Sequence, residues 1–231
     1  MTDNQTLKGN TKISADILSE FLETAIHCIL YARELYPTGV FSKRKKYNVP
    51  VQICMHPDVS LYVTNVVEGV KEFLQNQETD RVSVVILSSR DEPIEKFVFE
   101  IGEPDRNSGD DKYLYRLEQS LRGFVLKLNL CGAVLSPLPD DCTWTVQLHT
   151  QESSAQKHVH SQVEKDFPWI EADRRQTVVT DAKIVPMTAV SSETIKFEHN
   201  QAKDAGIFDQ FCNGVSEEIM IMGWSTDIIA V

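Results

Sequence analysis

The sequence has few basic residues for its length and no long hydrophobic run. Its 231 residues include 23 lysines and arginines against 34 aspartates and glutamates, which gives a net charge of −11. A protein that binds the phosphate backbone of nucleic acid needs clustered cations, so we expect no direct nucleic-acid binding. No apolar run approaches the ~20 residues of a membrane span, and the opening residues, MTDNQTLKGNTK, contain no apolar signal segment. We expect an intracellular, soluble protein that does not contact a membrane.

The sequence also lacks the motifs of common enzymes and metal centres. It contains neither phosphate-binding glycine loop, G-x-x-x-x-G-K-[ST] or G-x-G-x-x-G, and neither G-x-S-x-G nor H-E-x-x-H. The five cysteines have no paired spacing, which favours a reducing compartment over a disulfide framework. The pairs His158 with His160 and Cys54 with His56 lack the partner pair that a closed zinc site needs. We predict no metal, no cofactor and no enzymatic activity.

Three stretches have the hydrophobic period of a helix. The most regular, Leu114 to Leu135, places apolar residues alternately three and four positions apart, with two aspartates before it and two prolines after it. Its second half is apolar nearly all round, so we expect a central helix that is covered on more than one side. Phe124 to Leu130 also alternates as a strand would, but strands seldom exceed about 10 residues. Ser14 to Tyr36 and Asp58 to Gln75 are the other two predicted helices.

Other stretches predict antiparallel strands. Val82 to Leu87 is a β-branched run typical of a buried central strand, and Ile94 to Ile101 alternates after a short turn, so the two predict a β-hairpin. Cys142 to Thr150 alternates in the same way. From Asp166 to Asn200, short apolar islands and prolines predict extended segments that wrap over the rest. Helices and strands that come in runs predict an α+β fold, with an antiparallel sheet backed by three helices on one face.

Several residues allow two interpretations. The basic run from Lys43 to Lys46 is either a solvated loop or a contact for nuclear import or an acidic partner, and the loop is favoured. Cys28 beside His27 lies in a predicted helix, where packing is favoured over a nucleophile with its base. Tyr62 and Trp169 are either core residues or flat platforms for proline rings, and spacing alone does not favour the platform.

Five segments of the chain resemble the HORMA-domain family: FLETAIHCILYARELYP, VFSKRKKYNVPVQ, VVILSSRDEPIEKFVFEI, LRGFVLKLNLCGAVL and KDFPWIEAD. Within that family they are most similar to the branch of non-catalytic accessory subunits of translesion DNA polymerase zeta. The resemblance implies a flexible N-terminal tail at 1–12 and a HORMA domain at 13–200. Residues 152–200 would form its C-terminal segment, the safety belt. The tail at 201–231 has no counterpart in the resemblance.

The resemblance implies a non-catalytic adaptor that binds a peptide. HORMA proteins hold an extended ligand against their sheet and close the safety belt over it. Tyr62 and Trp169 would then contact a proline-containing segment of the polymerase zeta catalytic subunit. The resemblance also implies a face for HORMA–HORMA dimerisation, formed by Lys43, Arg122, Lys127 and Ala133.

A second partner surface on the safety belt is implied as well. Ile184 and Pro186 would receive the scaffold protein of translesion synthesis. The chain departs from the family pattern at Thr188, Glu198 and Asn200, where basic, amide and aromatic residues are expected. These differences count against binding of this second partner.

The resemblance also bears on the cellular role of the protein. The resemblance implies a role in DNA damage tolerance, in the nucleus and also in the cytoplasm, with an AAA+ remodelling ATPase as a further partner. An alternative of the same class is a HORMA adaptor of the spindle checkpoint or of double-strand-break repair, and a less favoured one is a small α+β enzyme.

The tail at 201–231 starts polar and ends apolar. It either packs along its own domain or adds a strand to a sheet edge.

Overall fold

The computed structural model describes residues 2–102, 111–151, 154–155, 169–172, 182–185, 195–202 and 217–220. The helices and strands are, in chain order, α1 (Thr2–Ala32), β1 (Phe41–Lys46), β2 (Val49–Cys54), α2 (Pro57–Asn76), β3 (Thr79–Leu87), β4 (Pro93–Ile101), α3 (Asp111–Val134), β5 (Thr143–Thr150), β6 (Ile170–Glu171), β7 (Ala182–Val185), β8 (Ile195–Ala202) and β9 (Glu217–Met220). A single 3-10 turn, Thr38–Val40, lies between α1 and β1.

The described residues divide between two compact units. The helical unit lies within Met1–Gln77, Ile101–Leu138 and Thr188–Lys196, and it contains the three helices and the β1–β2 pair. The sheet unit lies within Glu78–Glu100, Pro139–Met187 and Phe197–Val231.

Helix α1 is the centre of the helical unit. It contacts both α2 and α3, and it also contacts β2. The side chains that α1 buries completely or nearly so include Phe21, Leu22, Ala25, Ile26, Ile29 and Leu30. Because α1 makes contacts on several sides, its apolar residues occupy more than one stripe, as expected for a helix that is covered all round.

The ends of α1 differ from the prediction at both termini. The helix begins at Thr2, so residues 2–12, predicted as a tail, have a helical backbone, and no proline interrupts it. It ends at Ala32 instead of Tyr36. There the left-handed Glu34 lets the amides of Glu34 and Leu35 donate to the carbonyls of Tyr31 and Leu30, which closes the helix before the proline is reached.

Helix α3 lies where a helix was predicted, but it is less covered than expected. The apolar face defined by the three-four spacing is buried, with Leu121, Phe124 and Leu128 inaccessible to solvent. Leu126, Leu130 and Val134 are exposed, so the prediction that the second half is covered on more than one side is wrong.

The C-terminal ends of α1 and α3 approach closely at a glycine. A Cβ atom on Gly132 would lie 2.5 Å from the carbonyl oxygen of Ala32, well inside van der Waals contact. Beside this crossing the Arg33 guanidinium donates a hydrogen bond of 2.6 Å to the carbonyl oxygen of Ser136. The absence of a side chain at residue 132 therefore sets how near the two helices lie.

The basic segment predicted as a solvated loop is a β-hairpin. Strands β1 and β2 pair from Phe41↔Cys54 to Lys46↔Val49. Tyr47 and Asn48 both have positive φ angles, 48° and 58°, which is the type I′ turn whose twist suits a two-residue hairpin. The sequence pattern did not indicate strand β1, because cations stand where the alternation of a strand would place apolar residues.

Helix α1 is joined to β2 through a buried histidine. The Cys54 amide donates to His27 Nδ1 at 3.4 Å, so this nitrogen acts as an acceptor and carries no proton. Burial lowers the pKa of His27 from 6.5 to about 4. The imidazole is therefore neutral at physiological pH, as the hydrogen bond requires.

Within the described residues the sheet has seven strands, in the order β6-β9-β5-β3-β4-β8-β7. The predicted hairpin is confirmed, because β3 pairs antiparallel with β4 from Arg81↔Glu100 to Leu87↔Pro93. On its other side β3 pairs antiparallel with β5 from Thr79↔Thr150 to Leu87↔Thr143. The predicted central strand is thus central, and its residues from Val82 to Leu87 are buried.

The later part of the chain supplies both ends of this sheet. The segment predicted to be extended contributes β6, β7 and β8. Strand β7 pairs antiparallel with β8, and β8 lies next to β4. Strand β9, from the C-terminal tail, lies between β5 and β6. Of the two alternatives for the tail, these four residues follow the second, because they add a strand to the sheet.

The close crossing at Gly132 generates a stability prediction. Gly132→Ala should lower the free energy of unfolding by about 1–3 kcal/mol, because the new methyl group would overlap the Ala32 carbonyl and must push the two backbones apart. Gly39→Ala is the matched control, since no atom lies within 4 Å of its Cβ position. Urea unfolding should show a loss for the first variant only. Equal stabilities of Gly132→Ala and the native chain would contradict the tight crossing.

The buried histidine generates a prediction about pH. Between pH 6.5 and pH 4 the unfolded chain takes up a proton that the folded chain excludes, so stability is full above pH 6.5 and is lost as the pH falls. A shift from 6.5 to about 4 corresponds to a loss on the order of 3 kcal/mol. His27→Asn keeps an acceptor for the Cys54 amide but does not titrate in this range. Urea unfolding at pH 7, 6, 5 and 4.5 should give a shallower pH dependence for this variant; parallel curves would contradict the assignment.

Candidate strand-binding site

The candidate site is the outer edge of β5, the edge that faces away from β3. The inner edge is fully occupied by β3, and Val146 and Leu148 are completely buried, so β5 is held firmly in the sheet. At its C-terminal end the Thr79 hydroxyl donates to the His149 carbonyl at 2.7 Å. The Thr150 hydroxyl donates in turn to the Glu78 carbonyl. These bonds fix the backbone of β5 where its outer edge begins to pair.

The outer edge pairs with β9 over four positions. The register runs from Gln147↔Met220 to Thr150↔Glu217, antiparallel. On its far side β9 pairs antiparallel with β6, with Ile170 opposite Met220 and Glu171 opposite Ile219. Ile219 and Met220 therefore have a strand on both sides. Strands β5 and β6 thus form a slot that holds a short extended segment through backbone hydrogen bonds. Such bonds form with any sequence that can adopt a strand.

The two aromatic residues predicted to contact a peptide lie in different units. Tyr62 is on α2 in the helical unit and is half-buried. Trp169 directly precedes β6 in the sheet unit and is 1% exposed. A ligand-binding role for either ring stays a prediction. Neither the spacing nor the composition indicated the part of the site that is built from backbone, the edge Gln147–Thr150.

The residues predicted for the HORMA–HORMA face all lie in the helical unit. Lys43 is exposed on β1, whose partner strand β2 contacts α3, and the Asn129 amide donates to the Pro50 carbonyl at 3.0 Å. Arg122 and Lys127 are half-buried on α3, and Ala133 is exposed near its end. The structure thus brings the hairpin of Lys43 next to the helix that carries the other three.

An exposed apolar stripe on α3 was missed by the sequence reasoning. Leu126, Leu130 and Val134 are 45%, 64% and 72% exposed. They are four residues apart, so they form a line along one side of the helix. We call them the α3 stripe. The signal was available, because none of the three falls on the three-four spacing that defines the buried face.

The second-partner surface is only partly within the described residues. Ile184 lies on β7, which is the end strand of the described sheet, and its register partner is Asn200 on β8. Glu198 is also on β8. Pro186 and Thr188 lie outside the described residues, so the role of this surface stays a prediction.

The cysteines and histidines near α1 do not form a reactive pair. Burial, with a smaller contribution from nearby Cys131, raises the pKa of the Cys28 thiol to about 12. A thiol with this pKa is protonated at neutral pH and is a poor nucleophile. In the described part of the chain no group of three or more histidine, cysteine or acidic side chains could hold a metal ion. No helix among those residues is long and apolar enough to cross a bilayer.

Comparison with known proteins identifies the family. The HORMA domain family matches residues 14–178. A Rattus norvegicus protein named mitotic spindle assembly checkpoint protein MAD2B is 45% identical over 188 residues, which are 81% of this chain and 89% of that protein. The DNA polymerase zeta processivity subunit of Arabidopsis thaliana is 30% identical over 179 residues, 77% of this chain and 80% of that protein.

The fold leads to the same family. The solved structure of C. elegans HTP-1 bound to a HIM-3 closure motif aligns with a TM-score of 0.62 at 13% identity, over 83% of this chain and 91% of that one. The predicted α+β fold of the HORMA type is thereby confirmed. With a family match over most of its length and a relative that is 45% identical, this chain is a member of the HORMA-domain family.

Proposed function

We propose that this protein is a non-catalytic adaptor subunit of DNA polymerase zeta in translesion synthesis. It holds a short, extended, proline-containing segment of the catalytic subunit at the outer edge of β5 and connects that subunit to recruitment factors. The name of the Arabidopsis thaliana relative, a processivity subunit of this polymerase, supports the choice of partner. With a net charge of −11, the protein would reach DNA through the polymerase and not by itself.

One observation carries the proposal: a short strand lies between β5 and β6, paired on both sides. Binding by strand addition needs an anchored edge strand whose backbone groups are available on one side. Strand β5 meets this need because β3 occupies only its inner edge. Strand β6, on the proposed safety belt, encloses the inserted segment from the other side.

Enclosure by the belt has a kinetic consequence. To order the belt, 152–200 and thus about 50 residues, from a disordered state would cost ~50–100 kcal/mol, at ~1–2 kcal/mol per residue. Non-covalent binding rarely exceeds about 18–21 kcal/mol, so a ligand cannot supply that ordering. The belt therefore switches between two folded arrangements, and a bound segment leaves only when the belt opens. We expect slow dissociation.

Binding, not catalysis, is the activity we propose, and the nucleus is the proposed location. The relatives carry the names of a checkpoint protein and a polymerase subunit. The buried, protonated Cys28 thiol and the neutral His27 do not supply an activated nucleophile. Lys43, Arg44 and Lys45 are exposed on β1, which suits recognition by an import receptor.

A second candidate function is a HORMA adaptor of the spindle checkpoint. The name of the Rattus norvegicus relative favours it. The strand-binding mechanism would be the same, and only the protein that donates the strand would differ.

Affinity capture tests the proposed partner. The full chain, immobilised through a tag, should retain the polymerase zeta catalytic subunit from nuclear extract. Tyr62→Ala should reduce the recovery about tenfold, because the resemblance gives this ring a contact with the peptide, and loss of an aromatic contact in an interface typically costs more than ~1 kcal/mol. Trp169→Ala is a poorer probe, since removal of a fully buried tryptophan also costs about 3–5 kcal/mol of stability.

Leu61→Ala is the matched control for this experiment. Leu61 is next to Tyr62 on the same helix, and it is 61% exposed. Recovery with Leu61→Ala should equal that of the native chain. If the native chain does not retain the catalytic subunit, the polymerase assignment fails. Retention of a checkpoint protein in its place would favour the second candidate.

We also infer that the α3 stripe is the apolar centre of the HORMA–HORMA face. It lies on the same helix as Arg122, Lys127 and Ala133. Interfaces combine a desolvated apolar centre with a polar rim, and these side chains supply both. Exposure of three large apolar side chains in a row is otherwise costly for a monomer.

The dimer face is tested by a charge at the centre of the stripe. Leu130→Glu should weaken self-association or association with another HORMA protein by about a hundredfold or more, because an unpaired charge would be buried. Leu61→Glu places the same charge on a similarly exposed leucine of α2. Sedimentation velocity over a concentration series should show a loss for Leu130→Glu alone. Equal behaviour of the two variants would contradict the assignment.

A further inference from the structure

The slot between β5 and β6 is occupied by the protein's own tail. Strand β9 belongs to residues 201–231 and lies beyond residue 178, where the family match ends. It takes the place in the sheet that the proposed function gives to a strand of another protein. The strand that occupies the slot thus comes from a part of this chain outside the region that matches the family.

The connection to β9 is long enough for the tail to enter and leave the slot. Residues 203–216 separate β8 from β9. Fully extended, at ~3.3 Å per residue, they reach roughly 46 Å. Strands β8 and β9 are four strand positions apart in the sheet, which is about 19 Å at ~4.8 Å per strand. The connection has slack, so it does not force β9 to stay in place.

Among the described residues, β9 covers part of the outer edge of β5. The register between β5 and β3 extends from Thr143 to Thr150, and the described register between β5 and β9 covers Gln147 to Thr150. Strand β6 adds two register pairs. The backbone hydrogen bonds of a strand form with any sequence that can adopt an extended conformation, so another short strand can take the place of β9.

We propose that the C-terminal tail is an intramolecular ligand of the strand slot and competes with the partner segment. This inference rests on the proposed function, because it concerns the same site. When β9 fills the slot, a foreign strand binds only to the fraction of molecules from which the tail has left, and its apparent Kd rises by the inverse of that fraction.

The size of this competition follows from the attachment of the tail. A segment attached by a short connection has an effective concentration on the order of 1 mM. If the isolated tail segment binds the empty slot with a Kd below about 100 μM, the attached tail raises the apparent Kd of a competing strand by about tenfold or more. Removal of β9 from the slot should lower that Kd by the same factor.

The test uses the full chain with two prolines in β9. Successive residues of a strand direct their backbone groups to opposite neighbours, so Ile219→Pro with Met220→Pro removes one amide donor towards each flanking strand. The probe is a fluorescein-labelled synthetic peptide of residues 213–224. At equilibrium it should bind the double-proline chain at least tenfold more tightly than the native chain.

Two controls separate this effect from disturbance of the tail or of the fold. Ile228→Pro with Ile229→Pro places the same two prolines in the same tail but outside β9, and it should bind the probe as the native chain does. Ile219→Lys, opposite the buried Leu148, is a milder second variant and should also bind more tightly. Amide exchange in β3, Val82 to Leu87, should be unchanged in every variant.

The outcomes distinguish this inference from the proposed function. Equal affinity of the probe for native and double-proline chains, or no binding to either, would overturn the inference. If the probe gains affinity as expected but neither chain retains the polymerase zeta catalytic subunit, the intramolecular ligand stands and the proposed partner fails.

Discussion

The hydrogen-bonding groups along the outer edge of β5 are the constraint on which this molecule depends. A strand at the edge of a sheet exposes amide and carbonyl groups that pair with any extended segment within reach. Strand β5 cannot move to satisfy them, because β3 holds its other edge and its apolar side chains are buried. Within the described residues β9 occupies this edge, and under the proposed function a strand of the partner takes its place.

The helical unit obeys a different constraint, which is close packing around α1. Gly132 permits the approach of α3, and His27 joins α1 to β2 through a neutral ring nitrogen. Both features depend on a small or uncharged group at a fixed position. The unit also carries the α3 stripe on its surface, so packing on one side of α3 leaves the other available for a partner.

Periodicity predicted the elements whose pattern reflects a single buried face. Helices α2 and α3 and strands β3, β4 and β5 lie close to their predicted bounds for this reason. The hairpin β1–β2 was missed because its outward residues are cations and its turn depends on φ angles of Tyr47 and Asn48. The exposure of Leu130 was missed because composition suggested burial on all sides, whereas spacing alone identifies the buried face.

The candidate site could be predicted only in outline. The family resemblance implied an extended ligand against the sheet, but register and strand order come from contacts between residues far apart in sequence. The pairing of Gln147 with Met220 joins positions more than seventy residues apart, and nothing local to either one indicates it. The apolar end of the tail left open whether the tail packs along its own domain or adds a strand to a sheet edge.

Amide hydrogen exchange of the full chain, free and bound to the polymerase zeta catalytic subunit, tests the central claim most directly. The account predicts slow exchange across Gln147–Thr150 in both states, because a strand always covers this edge. It predicts slow exchange across 217–220 in the free chain and fast exchange there in the complex, where the partner has replaced the tail. Rapid exchange of Gln147–Thr150 in the free chain, or unchanged protection of 217–220 on binding, would contradict it.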